Sequence, residues 1–278
     1  MIPWSVAYSV EMSTRVLGVF IVGAVLLTLG ISGAAWLAPA GLAVIVIGSV
    51  SAWRLDGRSW RELGFSSVSP TVALWVGVVG VGLPLAWYAI GLATGGIERL
   101  DEVQGGGLAA LVRVVAVVLV EETVYRGVVL RGLGDRLSPL AVVVGSSALF
   151  GISHLPGMLT DGVGGGQAAI GAVSWSLFGI ALAWTVLRTA SLWPAIAFHL
   201  GWNLTFSLVG PIASAVAGGS IAFVATWPDW WAGHAAWSPE TGVGGLVLVT
   251  AAILLVGLVT PRSIHNAAHP SSGSHPTS

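Results

Sequence analysis

The 278 residues are 55% hydrophobic and only 8% charged, with a mean hydropathy of +0.89. No soluble domain of this length covers its surface with so few charges, so the composition specifies a polytopic membrane protein. A net charge of -1 with no basic cluster excludes an electrostatic footprint for nucleic acid, and the lack of cysteine excludes disulfides, a thiol nucleophile and thiolate metal sites.

The opening stretch, MIPWSVAYSVEMSTR, is mildly polar and does not open like a signal peptide, so an uncleaved first helix is expected. Windows of about 20 apolar residues predict eight transmembrane spans, at 15–33, 34–53, 69–94, 108–131, 138–156, 167–188, 191–215 and 243–260. Between the second and third lies RLDGRSWRELGF, polar, arginine-rich and compatible with a helix. After the third comes GGIERLDEVQGGG, acidic and bracketed by glycine. The loop from Val216 to Gly242 carries Trp227, Trp230, Trp231 and Trp237, which suits a segment lying at the headgroup level. The tail from 261 to 278 has the composition of a disordered end, and its three histidines read as incidental. The expected fold class is therefore all-α: one transmembrane helical domain over 1–260, followed by the tail.

All eleven basic residues are arginine. With a cytoplasmic N-terminus, Arg15, Arg54, Arg58, Arg61, Arg131, Arg136, Arg188 and Arg262 fall inside and only Arg99 and Arg113 outside, as the positive-inside rule requires. Both termini are thus expected in the cytoplasm, and the Ala-, Gly-, Val- and Arg-rich composition suggests a prokaryotic plasma membrane. Small residues such as Gly77, Gly80, Gly82, Gly171 and Gly179 read as sites of close helix approach.

Within the fourth span, VVAVVLVEETVYRGVVLRGLGDR places Glu121, Glu122 and Arg126 inside an apolar run. A charge at such depth costs roughly 2.5–3.5 kcal/mol unless it faces protein, water or a partner. On a helix Glu122 and Arg126 stand at i,i+4 and can pair, whereas Glu121 points about 100° away, its carboxylate free. The other intramembrane polar groups are His154, which ends the fifth span ahead of Pro156, and His199 with Asn203 one turn later on the seventh. Taken singly, each of these can simply hydrogen-bond a neighbouring helix. Two acids, an arginine, two histidines and an amide on three spans predict convergence on one polar cavity among spans 4, 5 and 7, opening toward the cytoplasm. His154, about 14 residues into its span at 1.5 Å each, is expected some 20 Å deep and below Glu121.

Glu121-Glu122-Thr-Val-Tyr-Arg126, Phe150-Gly-Ile-Ser-His154 and His199-Leu-Gly-Trp-Asn203 resemble, in order and complete, the E-E-x-x-x-R, F-x-x-x-H and H-x-x-x-N motifs of the CPBP intramembrane endopeptidases. That family comprises the type II CAAX prenyl protease and bacteriocin-processing groups. The resemblance covers about 108–260, and WRELGF also looks like the family's segment ahead of its third span. It implies hydrolysis of membrane-associated protein or peptide substrates by water activated at Glu121. His154 would hold the same water, His199 and Asn203 would supply oxyanion donors, and Glu122 with Arg126 would lock the helix or orient substrate. No cofactor is required on this reading; the alternative is one divalent ion such as zinc on Glu121, His154 and His199. Prenylated tails belong to eukaryotic relatives, and nothing in the sequence specifies a prenyl groove.

Other protease classes fit less well, because there is no H-E-x-x-H and no G-x-S-x-G. Gly132-Leu-Gly-Asp135 has the form of an aspartyl-protease motif, but no second aspartate lies in any predicted span, so it reads as a helix end. Two non-proteolytic alternatives stand: a non-catalytic scaffold or bacteriocin-immunity protein, and a transporter using the same groups as an ion path.

Overall fold

The computed structural model describes residues 59–99, 107–134, 137–209 and 223–260, with isolated positions between 22 and 57. Apart from those positions, the predicted spans 15–33 and 34–53 lie outside the described residues, as do Asp135 and the tail from 261. The described part is mostly helical, and three of its helices, Pro70–Thr94, Pro139–Thr160 and Gly165–Thr189, are long and apolar enough to cross a membrane. Their outward faces carry Leu74, Trp75, Ile90, Leu140 and Val173 without protein cover. Large apolar side chains facing outward along whole helices are what a lipid solvent selects.

The WREL segment forms a short helix, α1 (Trp60–Leu63). Ser59 Oγ accepts from the Glu62 N–H while the Glu62 carboxylate accepts from the Ser59 N–H, a capping box, and Gly64 ends the helix at φ 112°, a left-handed conformation that favours glycine. Next come α2 (Pro70–Thr94), opened by a proline whose missing N–H costs nothing at a first turn, and a three-residue strand β1 (Ile97–Arg99). The fourth predicted span is one helical rod in three parts: α3 (Gly107–Glu121), a π-helical segment (Glu122–Val129) and α4 (Leu130–Gly134). The fifth span breaks into α5 (Pro139–Ile152) and α6 (Leu155–Thr160), with the turn at Ser153–His154 just ahead of Pro156. Then follow α7 (Gly165–Thr189), α8 (Trp193–Val209), strand β2 (Phe223–Ala225), α9 (Asp229–Ala232) and α10 (Val243–Val259).

The helical architecture agrees with the all-α expectation, and one small ribbon is added to it: β1 and β2 pair antiparallel, Ile97 opposite Ala225. It ties the acidic segment after α2 to the tryptophan loop. Trp227 and Trp231 pack on Trp87 of α2 at 4.8 and 6.2 Å, and Trp237 donates to Asp161 Oδ2 at 2.8 Å; of the four, Trp230 is the one that stands exposed. The loop folds back over one end of the bundle because these rings find apolar partners there.

Two close approaches set the helix positions that matter for the site. A Cβ at Gly80 would collide with the Phe198 carbonyl, so glycine lets α2 lie against α8 beside His199. A Cβ at Gly151 would collide with the Ala172 carbonyl and Ser176 Oγ, so α5 lies against α7 with Phe150 and His154 facing Trp175. Gly171 and Gly179 are close-packed as well, whereas Gly82 faces open space.

Candidate active site

The π segment is where the acids sit. Its hydrogen bonds skip five residues, as from the Leu130 N–H to the Tyr125 carbonyl, which widens the turn at Glu122 to Val129. Leu63 of α1 packs against Gly127 on the far side of this widened turn, where a Cβ would stand 3.0 Å from Leu63 Cγ. The WRELGF stretch thereby buttresses the segment that carries the acids.

Glu122 and Arg126 are fully buried and pair as expected, Oε1 to Nη1 at 3.2 Å. Arg126 also lies 4.1 Å over the Phe150 ring, a cation–π contact in a desolvated setting. Glu122 is not reserved for Arg126, however: its Oε1 also stands 2.8 Å from His199 Nδ1. A carboxylate oxygen accepts, so Nδ1 carries a proton, and in the neutral imidazole Nε2 is then a lone pair. That lone pair faces Glu121 Oε2 at 3.6 Å. His154 reaches Glu121 as well, Nε2 to Oε1 at 3.9 Å. Its Nδ1 lies 2.8 Å from the Phe150 carbonyl, which can only accept, so here too Nε2 is bare. Glu121 thus faces two imidazole lone pairs whose tautomers are set by their other partners.

Glu121, His154, His199 and Asn203 all line one cavity of about 240 Å³. The depth difference expected for His154 does not arise. α4 continues the fourth span to Gly134 and α5 starts at Pro139, so Glu121 lies 13 residues before the connection and His154 15 residues after it, on neighbouring helices running in opposite directions. The end of the bundle at 64–66 and 190–192 is closed by bonds from the Leu192 N–H to the Gly64 carbonyl (2.8 Å) and from Ser191 Oγ to the Ser66 carbonyl (2.8 Å). The cavity instead opens at the opposite end, with the exposed Arg113 and Asp161 at its rim and Trp237 beside them. In a bundle where the end holding Arg61, Arg131 and Arg188 is cytoplasmic, this mouth faces away from the cytoplasm.

Two lining groups, Trp175 and Glu240, had no sequence signal pointing to the site. The Trp175 ring stacks on His154 at 4.5 Å and 7°, holding the imidazole plane, and Phe150 stands edge-on to both histidines. Glu240, in the loop before α10, is buried, takes a bond from Trp202 Nε1 at 3.2 Å and is pushed up to about 7 by burial. A tetrahedral zinc ion holds its donors at about 2.0–2.2 Å, and so at roughly 3.3 Å from one another. Among the described residues no group of three or more His, Cys, Asp or Glu has that spacing, and Glu121 with its two imidazoles is wider.

Residues 104–205, which hold all seven motif residues, match the family model described as Rce1-like, type II CAAX prenyl endopeptidase Rce1-like. No curated protein matches the chain significantly. The three motifs, the site they build between apolar helices and this match together support a likeness to the CPBP family of CAAX-type intramembrane proteases over residues 104–205.

Proposed function

We propose that the protein is an intramembrane endopeptidase in which Glu121 activates a water molecule to attack peptide bonds of membrane-associated protein or peptide substrates. The observation that carries this reading is the convergence of the Glu121 carboxylate with two bare imidazole nitrogens at 3.6 and 3.9 Å in one cavity. Three acceptors around one space call for hydrogen donors, and a water there gives one hydrogen to Glu121 and the other to an imidazole. Its own lone pair is then turned to a substrate carbonyl.

As the water oxygen bonds to the carbonyl carbon, its proton passes to Glu121. The oxyanion that forms takes a hydrogen bond from the Asn203 amide, while the hydrogen left on the attacking oxygen stays bonded to His199 Nε2. Glu121 then returns its proton to the leaving amine as the C–N bond breaks. Glu122 and Arg126 keep the His199 tautomer and the helix face in place. His199 Nε2 accepts throughout on this route, a change from the donor role its motif implies. Each step is carried by side chains of the protein itself.

The test is a reconstituted assay in which cleavage of membrane-inserted peptides and ion flux are read on the same vesicles, for wild type and Glu121→Gln. Cleavage by wild type alone, with no flux above protein-free vesicles, is the expected result. Flux without cleavage favours a transporter, and neither favours a scaffold.

A further inference from the structure

The cavity has a second acidic group that the proposed chemistry does not use. Glu240 follows Pro239 in the loop before α10, beyond the stretch that matches the family, and its side chain lines the same cavity as Glu121. It is 1% exposed. Oε1 is held by Trp202 Nε1 at 3.2 Å, one residue from Asn203, while Oε2 is buried with no hydrogen-bond partner.

A buried carboxyl oxygen left without a donor is costly, and such groups in native proteins are normally satisfied by something. The aromatic neighbours that hold Glu240 do not satisfy it, and the cavity wall is acidic. Glu121, Asp161 and Glu240 face it, against one cation, Arg113, which stands exposed at the rim. Asp161 is already engaged by Trp237 Nε1 at 2.8 Å. Glu240 is therefore the lining acid with both a free oxygen and full burial.

We infer that Glu240 is a specificity-determining residue whose free oxygen receives a cationic side chain, lysine or arginine, lying close to the scissile bond of the substrate. The inference rests on the proteolytic reading for the words "scissile bond", but the binding preference stands apart from turnover. A cation brought to Oε2 supplies the missing donor in a setting where water screens little, and charge-assisted bonds are about twice as strong as neutral ones. Burial has pushed Glu240 up to about 7, so the guest cation also favours the charged carboxylate over the neutral form.

The experiment uses the full chain in vesicles in the Glu121→Gln background, which removes turnover and the neighbouring charge together. Three otherwise identical apolar peptides carry lysine, norleucine or glutamate at one position beside the central bond, and binding is read by tryptophan fluorescence. The lysine peptide should bind about tenfold or more tighter than norleucine, with glutamate weakest. Adding Glu240→Gln, which keeps an acceptor for Trp202, should erase the lysine advantage. Equal binding of the three peptides, which needs no Glu240 variant to fold, overturns the inference. So does a lysine preference that survives Glu240→Gln. Cleavage by the unmodified protein is scored separately, so a failure of the proteolytic reading is not confused with either result.

Discussion

Glu121 and Glu122 are neighbours in sequence with different surroundings. Glu122 is fully buried, with Arg126 at 3.2 Å and His199 at 2.8 Å, while Glu121 is 22% exposed to the cavity and faces two bare nitrogens. Removing one partner of a buried pair leaves an uncompensated charge, typically costing 3–5 kcal/mol. Glu122→Gln should therefore lower the melting temperature and the yield of folded protein along with activity. Glu121→Gln removes a carboxylate that no cation pairs within the site, so its melting temperature should match or exceed wild type. A Glu122→Gln protein that melts like wild type would show that Arg126 and His199 do not depend on that charge. The Glu122–Arg126 pair was legible from i,i+4 spacing alone. The second partner, His199, was not, because 77 residues separate the two and helix packing alone decides which imidazole nitrogen meets which acid.

At the scale of elements, the site depends on how closely α2 lies on α8. Gly80 is in contact with the Phe198 carbonyl, next to His199, whereas a Cβ at Gly82 would meet nothing within 4 Å. Gly80→Ala should cost about 1–3 kcal/mol by overpacking and cut cleavage by moving His199; Gly82→Ala should change neither. Thermal melts and cleavage rates on the two variants check this, and equal behaviour would mean that α2 does not set the position of His199. Helix existence was legible across this region, since the predicted spans 69–94, 167–188 and 243–260 match α2, α7 and α10 to within two residues at each end. The π segment was not, because its five-residue hydrogen bonds leave the apolar pattern of the span unchanged. Nor was the ribbon, whose strands of three residues are too short to show alternation.

For the whole molecule, the arginine asymmetry and the cavity mouth make one joint prediction about sidedness. Ser59, on the closed and basic end, and Trp230, on the open end, are both exposed. Single cysteines placed there in this cysteine-free chain should label from opposite faces of the membrane, position 59 from the cytoplasm and position 230 from outside. Labelling of position 230 from the cytoplasm would invert the topology and turn the cavity mouth inward. The packing of Trp227, Trp231 and Trp237 and the burial of Glu240 were not legible, because a tryptophan-rich loop has the same composition whether or not its rings find partners in the bundle. The claim on which the rest depends is that Glu121 delivers water to the peptide bond. Cleavage of a membrane-inserted peptide in ¹⁸O-enriched water, read by mass spectrometry, tests it most directly. Wild type should place one ¹⁸O in the new C-terminal carboxylate, and a folded Glu121→Gln protein should cleave about 10²–10⁴-fold more slowly. A folded Glu121→Gln protein that cleaves at the wild-type rate would contradict the account.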